Sequence, residues 1–336
     1  MNAPAITLPR WFGRRRVWLV LAGLVVFSGV ATLVWRLGHW RDLDFIEHHM
    51  PVRTDIPTAL AIAPDGSVWF TIEFSDAIAV FRNGRIERLR KGSQNLEPLG
   101  LAVDATGNAW YTDASRRAIS QISPAGSIQS FPLSTPIVRL GRLAVAPDGA
   151  VWFADVTTAS VTRLQGGVFT RHDVGLLRAT PYGVAVDARG TIWATLQGAD
   201  KLARITSDGH VTAFDIPTRS SGLGDVTVDQ HGAVWFLELQ ANKIGRYTEG
   251  RFTEFSIPTP SAGLTTIAAA PDGSVWFAEL RASKLGRLRD GRITEFRLPR
   301  ADGRPFGVGT DAANNVWYTD LTGWLGMLPA GRARAP

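Results

Sequence analysis

Pro271-Asp272-Gly273-Ser274-Val275-Trp276-Phe277-Ala278-Glu279 is the stretch whose reading decides the fold. It joins a turn dipeptide, Asp-Gly, to a short β-branched and aromatic run that ends in a carboxylate. Asp-Gly between apolar runs signals a tight hairpin, because Gly accepts the positive φ that such a turn requires. Just upstream, Ile267-Ala268-Ala269-Ala270 reads as a first strand, a, and Ser274 to Ala278 as a second, b. Downstream, Lys284 to Leu288 reads as strand c and Ile293 to Leu298 as strand d. Strands a and b are apolar on both faces, as strands packed between neighbouring sheets must be. Strand d alternates, as an outer edge does.

The unit recurs along the chain. Tryptophans stand at 69, 110, 152, 193, 235, 276 and 317, with spacings of 41, 42, 41, 42, 41 and 41. Three residues before each lies Gly66, Gly107, Gly149, Gly190, Gly232, Gly273 or Asn314, all tolerant of positive φ. A period near 40 with strand patterning marks a propeller, one four-stranded blade per repeat. The spacing therefore predicts an all-β, seven-bladed β-propeller over 44–328, followed by a short tail over 329–336. The seventh repeat stops after Trp324-Leu325-Gly326-Met327 without a strand d. Asp44 to Pro51 lines up with Arg251 to Pro258, so residues 44–51 are expected to supply the missing strand and close the ring. Closure removes a free sheet edge.

Ahead of the repeats, Arg10, Arg14, Arg15 and Arg16 crowd in front of an apolar run from Val17 to Trp35. Its Val, Leu and Phe residues favour membrane insertion by about 3–7 kcal/mol in sum. The expectation is a basic cytoplasmic segment over 1–16, a transmembrane signal-anchor helix over 17–37, and a short linker over 38–43. The propeller would then lie on the periplasmic or extracellular side of the cytoplasmic (inner) membrane, with the lipid bilayer as the partner of residues 17–37. A cleaved signal peptide is the competing reading, since Ser28, Gly29 and Ala31 are small. The apolar run nevertheless continues past them through Val34.

The 336 residues include no Cys, which excludes disulfides, thiolate chemistry and Cys-based metal sites. The formal net charge of +6 is partly concentrated before the apolar run, so nucleic acid is not an expected partner. Phosphate-loop, nucleophile-elbow and His-Glu-x-x-His motifs are all missing. Loops at a propeller mouth carry function, which directs attention to the heads of the a strands. Arg142, Tyr182, Asp225, Thr265 and Phe306 stand there as candidate ligand-binding residues. Three residues after the tryptophans come Ile72, Asp113, Asp155, Leu196, Glu238, Glu279 and Asp320. Glu238, Glu279 and Asp320 belong to consecutive blades and are candidate ligands for a hard divalent cation, which takes oxygen donors. The competing reading pairs Glu238 with Lys243 and Glu279 with Lys284 across a short turn. His48 and His49 point to opposite faces of a strand and do not share an ion.

The Pro-Asp-Gly-Ser-Val-Trp-Phe-Ala-Glu string, Asn242-Lys243-Ile244-Gly245-Arg246 and Thr253-Glu254-Phe255-Ser256-Ile257-Pro258-Thr259 resemble the virginiamycin B lyase (streptogramin lyase) family. The resemblance covers nearly all of the chain after Asp44. It implies a seven-bladed propeller and a magnesium-dependent opening of a cyclic depsipeptide by C–O elimination at its ester. It further implies a histidine base near the start of a strand a, and carboxylates at the end of strand b that help hold the metal. The seven corresponding positions of the base are Ala59, Leu99, Gly141, Tyr182, Gly224, Thr265 and Phe306, and none is His. The expectation is thus a propeller that binds a small molecule, glycan or envelope protein at its central funnel, with no catalytic residue assigned. The alternative is a metal-dependent lyase or lactone/ester hydrolase that uses the carboxylate row with Mg²⁺.

Overall fold

A computed structural model describes residues 45–94, 99–135, 139–176 and 178–332. The segments 1–16, 17–37 and 38–43 and the tail from 333 lie outside them. Among the described residues no helix is long and apolar enough to cross a membrane. These residues form seven antiparallel four-stranded sheets. Six sheets are single repeats in the order a, b, c, d. The seventh takes its outer strand from the other end of the chain. Ile46–His49 pairs antiparallel with Trp324–Leu328, with Glu47 opposite Gly326. The ring is therefore closed as the sequence alignment of residues 44–51 anticipates.

Blade 6 shows how the repeat folds. Its strands are Leu264–Ala269, Val275–Glu279, Lys284–Arg289 and Arg292–Arg297. Strand a starts three residues earlier than its apolar run suggests, for a reason that bears on the site below. Trp276 lies between blades, in one apolar cluster with Val316 and Tyr318 of blade 7. Strand c carries a glycine beside the ring at the middle of strand b. A Cβ on Gly245, Gly286 or Gly326 would fall about 2 Å from Phe236, Phe277 or Tyr318. The aromatic ring fills the space that a side chain on c would need. In the a–b turns, one Asp does two jobs. Asp229 Oδ1 accepts the N–H groups of His231 and Ala233, and its Oδ2 accepts Trp235 Nε1–H at 2.8 Å. The same double use ties Trp110 to Asp104 and Trp317 to Asp311. Turn and inter-blade tryptophan are thereby fixed together.

Side chains reinforce the closing strand. The Glu47 carboxylate accepts from Arg300 Nε and Nη2 at 3.1 Å and from the Tyr318 hydroxyl at 2.6 Å. Arg300 comes from the loop entering blade 7 and also donates to Asp320 at 2.7 Å. One carboxylate thus joins the first described strand to the last blade. Glu47→Ala leaves a half-buried guanidinium short of a partner. It is expected to lower stability by about 2–4 kcal/mol, since breaking a buried charged pair is costly. Urea denaturation checks this; an unchanged midpoint would mean that the backbone ladder alone holds the closure.

Candidate functional site at the propeller mouth

The heads of the a strands are bulged. In blade 6, Leu264 is opposite Glu279 and Ile267 opposite Phe277, so three steps on strand a match two on strand b. The same slip occurs at Pro57/Leu60, Leu140/Leu143, Pro181/Val184, Leu223/Val226 and Pro305/Val308. A bulge re-aims side chains and takes an N–H out of the ladder. Threonines two residues after the tryptophans recover that N–H. Gly183 N–H donates to Thr195 Oγ1 and Gly307 N–H to Thr319 Oγ1, both at 2.8 Å. Each hydroxyl then donates to a carbonyl of the next blade, Thr195 to Gly224 and Thr319 to Thr58. The bulges are thus stitched from blade to blade.

Arg142 lies in the bulge of blade 3 and reaches across the mouth. Its Nε is 3.0 Å from Asp225 Oδ1 in blade 5. Its two Nη groups donate to the carbonyls of Leu99 in blade 2 (3.3 Å) and Thr265 in blade 6 (3.4 Å). The guanidinium stands 5.9 Å from the centre of the Tyr182 ring in blade 4. The hydroxyls of Thr265 and Thr266 donate to the Phe306 carbonyl in blade 7 at 2.7 and 2.8 Å. Asp225 Oδ2 accepts from Ile267 N–H at 3.2 Å. All five rim candidates therefore meet in one network, although Phe306 takes part through its carbonyl rather than its ring. Arg142 and Asp225 are only 9% and 7% exposed. Burial pushes the Asp225 carboxyl above its ordinary range, against the opposing charge of Arg142. A cavity of about 140 Å³ adjoins the pair, walled by Leu60, Leu101, Leu143, Val184, Val226 and Ile267.

The carboxylate row behaves differently. Asp320 is fully engaged: Oδ2 accepts from Arg300 and from Arg304 N–H, and Oδ1 from the N–H and hydroxyl of Thr322. Glu238 and Glu279 are fully buried, and among the described residues no oxygen of either has a hydrogen-bond partner. The expected pairs with Lys243 and Lys284 do not form, even though the register sets each Lys directly opposite its Glu. Instead Lys243 Nζ lies 2.7 Å from Glu254 and Lys284 Nζ 2.5 Å from Glu295, both on strand d. The strand-d carboxylates are partly solvated and already held by the N–H and hydroxyl of Thr218 or Thr259. Pairing there costs the ammonium less desolvation. Burial, with the Glu254 charge adding to it and Lys243 opposing, pushes Glu238 up to about 7. Glu279 is likewise pushed to about 7 by burial and by Glu295, against Lys284.

Glu238, Glu279 and Asp320 do not converge as the proposed cation ligands. Among the described residues, no three His, Asp or Glu side chains are grouped so as to hold a metal ion. With the Asp320 oxygens spent on protein donors, these residues do not fit magnesium. The described histidines also lie away from the mouth. His48 and His49 are on the closing strand beside Phe81 and Trp324, and His172 is on a strand d against Trp152. Sequence reasoning missed Thr266, Leu99, Glu254 and Glu295. The two glutamates had a signal, because they recur with Glu47 at one place in the strand-d repeat. Leu99 had none, because it contributes a backbone carbonyl.

These features define a class: a seven-bladed propeller with a charged network spanning its mouth, drawn from the bulged heads of its inner strands. The model of the virginiamycin B lyase family matches residues 36–165 and 138–328, and the chain belongs to that family. The virginiamycin B lyase of Nocardia farcinica is 30% identical over 190 residues, which are 56% of this chain and 65% of that protein. The match thus spans slightly under two thirds of that relative's length. A catalytically inactive His-to-Ala variant of the Staphylococcus aureus virginiamycin B lyase, crystallised with quinupristin, superposes with a TM-score of 0.80. It is 27% identical, over 85% of this chain and 98% of that one. A streptogramin B lyase structure gives the same TM-score at 26% identity, over 84% of this chain and 96% of that one.

The buried carboxyls set a pH dependence. Their folded-state values near 7 lie above the ordinary 4.5, so the folded protein binds more protons than the unfolded chain between those limits. Stability is unpenalised below about pH 4.5, falls as pH rises towards 7, and levels off above, by at most about 3 kcal/mol per group. Glu238→Gln and Glu279→Gln are expected to raise the urea midpoint at pH 8 and leave it nearly unchanged at pH 5. A loss of stability at pH 8 would show that a positive partner compensates the charge.

Proposed function

We propose that this propeller is a ligand-binding member of the virginiamycin B lyase family that acts without the family's histidine-dependent elimination. The Arg142 network carries the reading. Where the resemblance implies a basic imidazole, the mouth holds an Arg142–Asp225 ion pair that joins blades 3 and 5 and is tied to blades 2 and 6. The Asp225 oxygens are taken up by Arg142 and by the Ile267 N–H, out of reach of a substrate proton, and the guanidinium does not give up its own proton. The family relationship adds support. The S. aureus variant with Ala in place of His is catalytically inactive, and the positions that the resemblance assigns to the base carry no His in this sequence.

The enzyme alternative rests on the carboxylate row. Glu238 and Glu279 titrate near neutrality, but a general base must come within hydrogen-bond reach of the proton it removes. Both side chains are sealed between blades, and no catalytic step is assigned to them. The ligand would instead sit on the network, against the half-buried faces of Tyr182 and Phe306. A cyclic depsipeptide of the quinupristin kind is the ligand class proposed first, ahead of a glycan or an envelope protein. Placement on the outer side of the cytoplasmic membrane, through residues 17–37, is part of the same proposal. The arginines at 10 and 14–16 and the apolar run support it.

The test incubates the full chain, in detergent micelles, with quinupristin and Mg²⁺. Calorimetry follows binding, and chromatography with mass spectrometry follows ring opening. Saturable binding of intact quinupristin is expected, weakened by Tyr182→Ala about tenfold, the scale of one lost aromatic contact. Ring opening would overturn the non-catalytic reading. Absence of binding to the folded protein would remove the depsipeptide class from the mouth.

A further inference from the structure

At the opposite end of the ring, on the face of the a–b and c–d turns, blade 4 differs from blade 3. In several blades the tryptophan of strand b faces an arginine of strand c: Trp152 with Arg163, and Trp193 with Arg204. In blade 3 that arginine has a partner four residues before the tryptophan, Asp148, at 2.9 Å. The same place in blade 4 holds Arg189. Two guanidinium side chains therefore stand where blade 3 has an ion pair, and both line the cleft between blades 4 and 5.

A second observation concerns Trp193 itself. Trp110, Trp235 and Trp317 donate their indole N–H to the aspartate six residues earlier, at 2.9, 2.8 and 3.1 Å. Blade 4 keeps that aspartate, Asp187, whose Oδ1 accepts from Arg189 N–H and Thr191 N–H. Trp193 Nε1 nevertheless has no partner among the described residues, although the residue is only 6% exposed. Arg204 Nε is likewise buried with no hydrogen-bond partner among the described residues, its guanidinium lying 5.5 Å from the centre of the Phe214 ring. The cleft has a volume of about 490 Å³, and the Tyr247 ring, 5.3 Å from that of Trp193, forms part of its wall. The neighbouring acid Asp229 is already engaged by its own turn and by Trp235. Asp187 itself, Glu249 and His231 complete the charged lining, so the two guanidinium groups face three carboxylates across the cleft.

We propose that the cleft between blades 4 and 5 is a second ligand site, for a small molecule bearing an oxyanion. The oxyanion takes the place of the missing aspartate between Arg189 and Arg204 and accepts the Trp193 indole N–H. A planar guanidinium matches the two oxygens of a carboxylate and those of a phosphate or sulfate, and such charge-assisted bonds are the strong ones. The volume falls in the range of small-molecule sites, roughly 300–1,000 Å³. This site is remote from the mouth and does not depend on the function proposed there.

Tryptophan indole N–H resonances of the ¹⁵N-labelled full chain provide the test, in micelles, titrated with sodium acetate, phosphate and sulfate against sodium chloride at matched ionic strength. The resonance that disappears in Trp193→Phe is expected to shift saturably with at least one oxyanion and not with chloride. Acetate against phosphate and sulfate separates a carboxylate from the other oxyanions. Arg204→Gln should weaken the response about tenfold or more. Arg189→Asp, which restores the residue pair of blade 3, should abolish it while keeping the fold. A resonance unmoved by all three oxyanions, as in a cleft satisfied by water alone, would overturn the proposal. An equal response to chloride, or one unchanged in Arg204→Gln, would also do so.

Discussion

One extra residue at the head of strand a is the constraint on which the centre of this molecule depends. Inner strands converge on the ring axis, and a regular ladder would send their side chains only into the neighbouring blades. The slip seen at Leu264/Ile267 and its counterparts turns residues such as Arg142, Asp225 and Thr265 towards the axis. It also orphans backbone N–H groups, which is costly in a buried place. Thr195 and Thr319 recover those groups and pass the bond to the next blade. The bulge that shapes the mouth is thereby also a joint between blades.

Charges in the ring are arranged by where each can be solvated as much as by who stands opposite. Lys243 faces Glu238 in the ladder yet pairs with Glu254, because the outer strand offers water and two further donors. In blade 7 the loop residue Arg300 reaches inward and serves Asp320 and Glu47 together. Blades 5 and 6 carry Thr218 and Thr259 in the corresponding loops, and their inner glutamates remain unpaired. The family's implied metal role thus meets Glu238 and Glu279 buried without a hydrogen-bond partner among the described residues and Asp320 bound by Arg300.

Much of the fold was legible in one sequence. The tryptophan spacing counted the blades, and the match of residues 44–51 to a strand d foretold the closure. The Asp-Gly turns located the hairpins. The five rim residues were placed at the mouth because their distance from each tryptophan follows from the repeat. Their joining was not legible: Arg142 lies 83 positions before Asp225 and 123 before Thr265, and two of its acceptors are carbonyls with no side-chain signature. The start of strand a was misjudged because a bulge breaks the alternation from which strands are read. The Lys243 and Lys284 pairings were misjudged because adjacency in a ladder does not weigh desolvation.

The sequence by itself determined the number of blades, the place of each hairpin and the swap that closes the ring, since these follow from period, turn chemistry and local strand pattern. Only the tertiary structure decided which charges meet. Blades that are distant in sequence are brought around one axis, and there the choice among partners depends on burial and on spare donors that no local pattern records. Arg142 with Asp225, Glu238 alone, and Arg189 beside Arg204 are three outcomes of that choice.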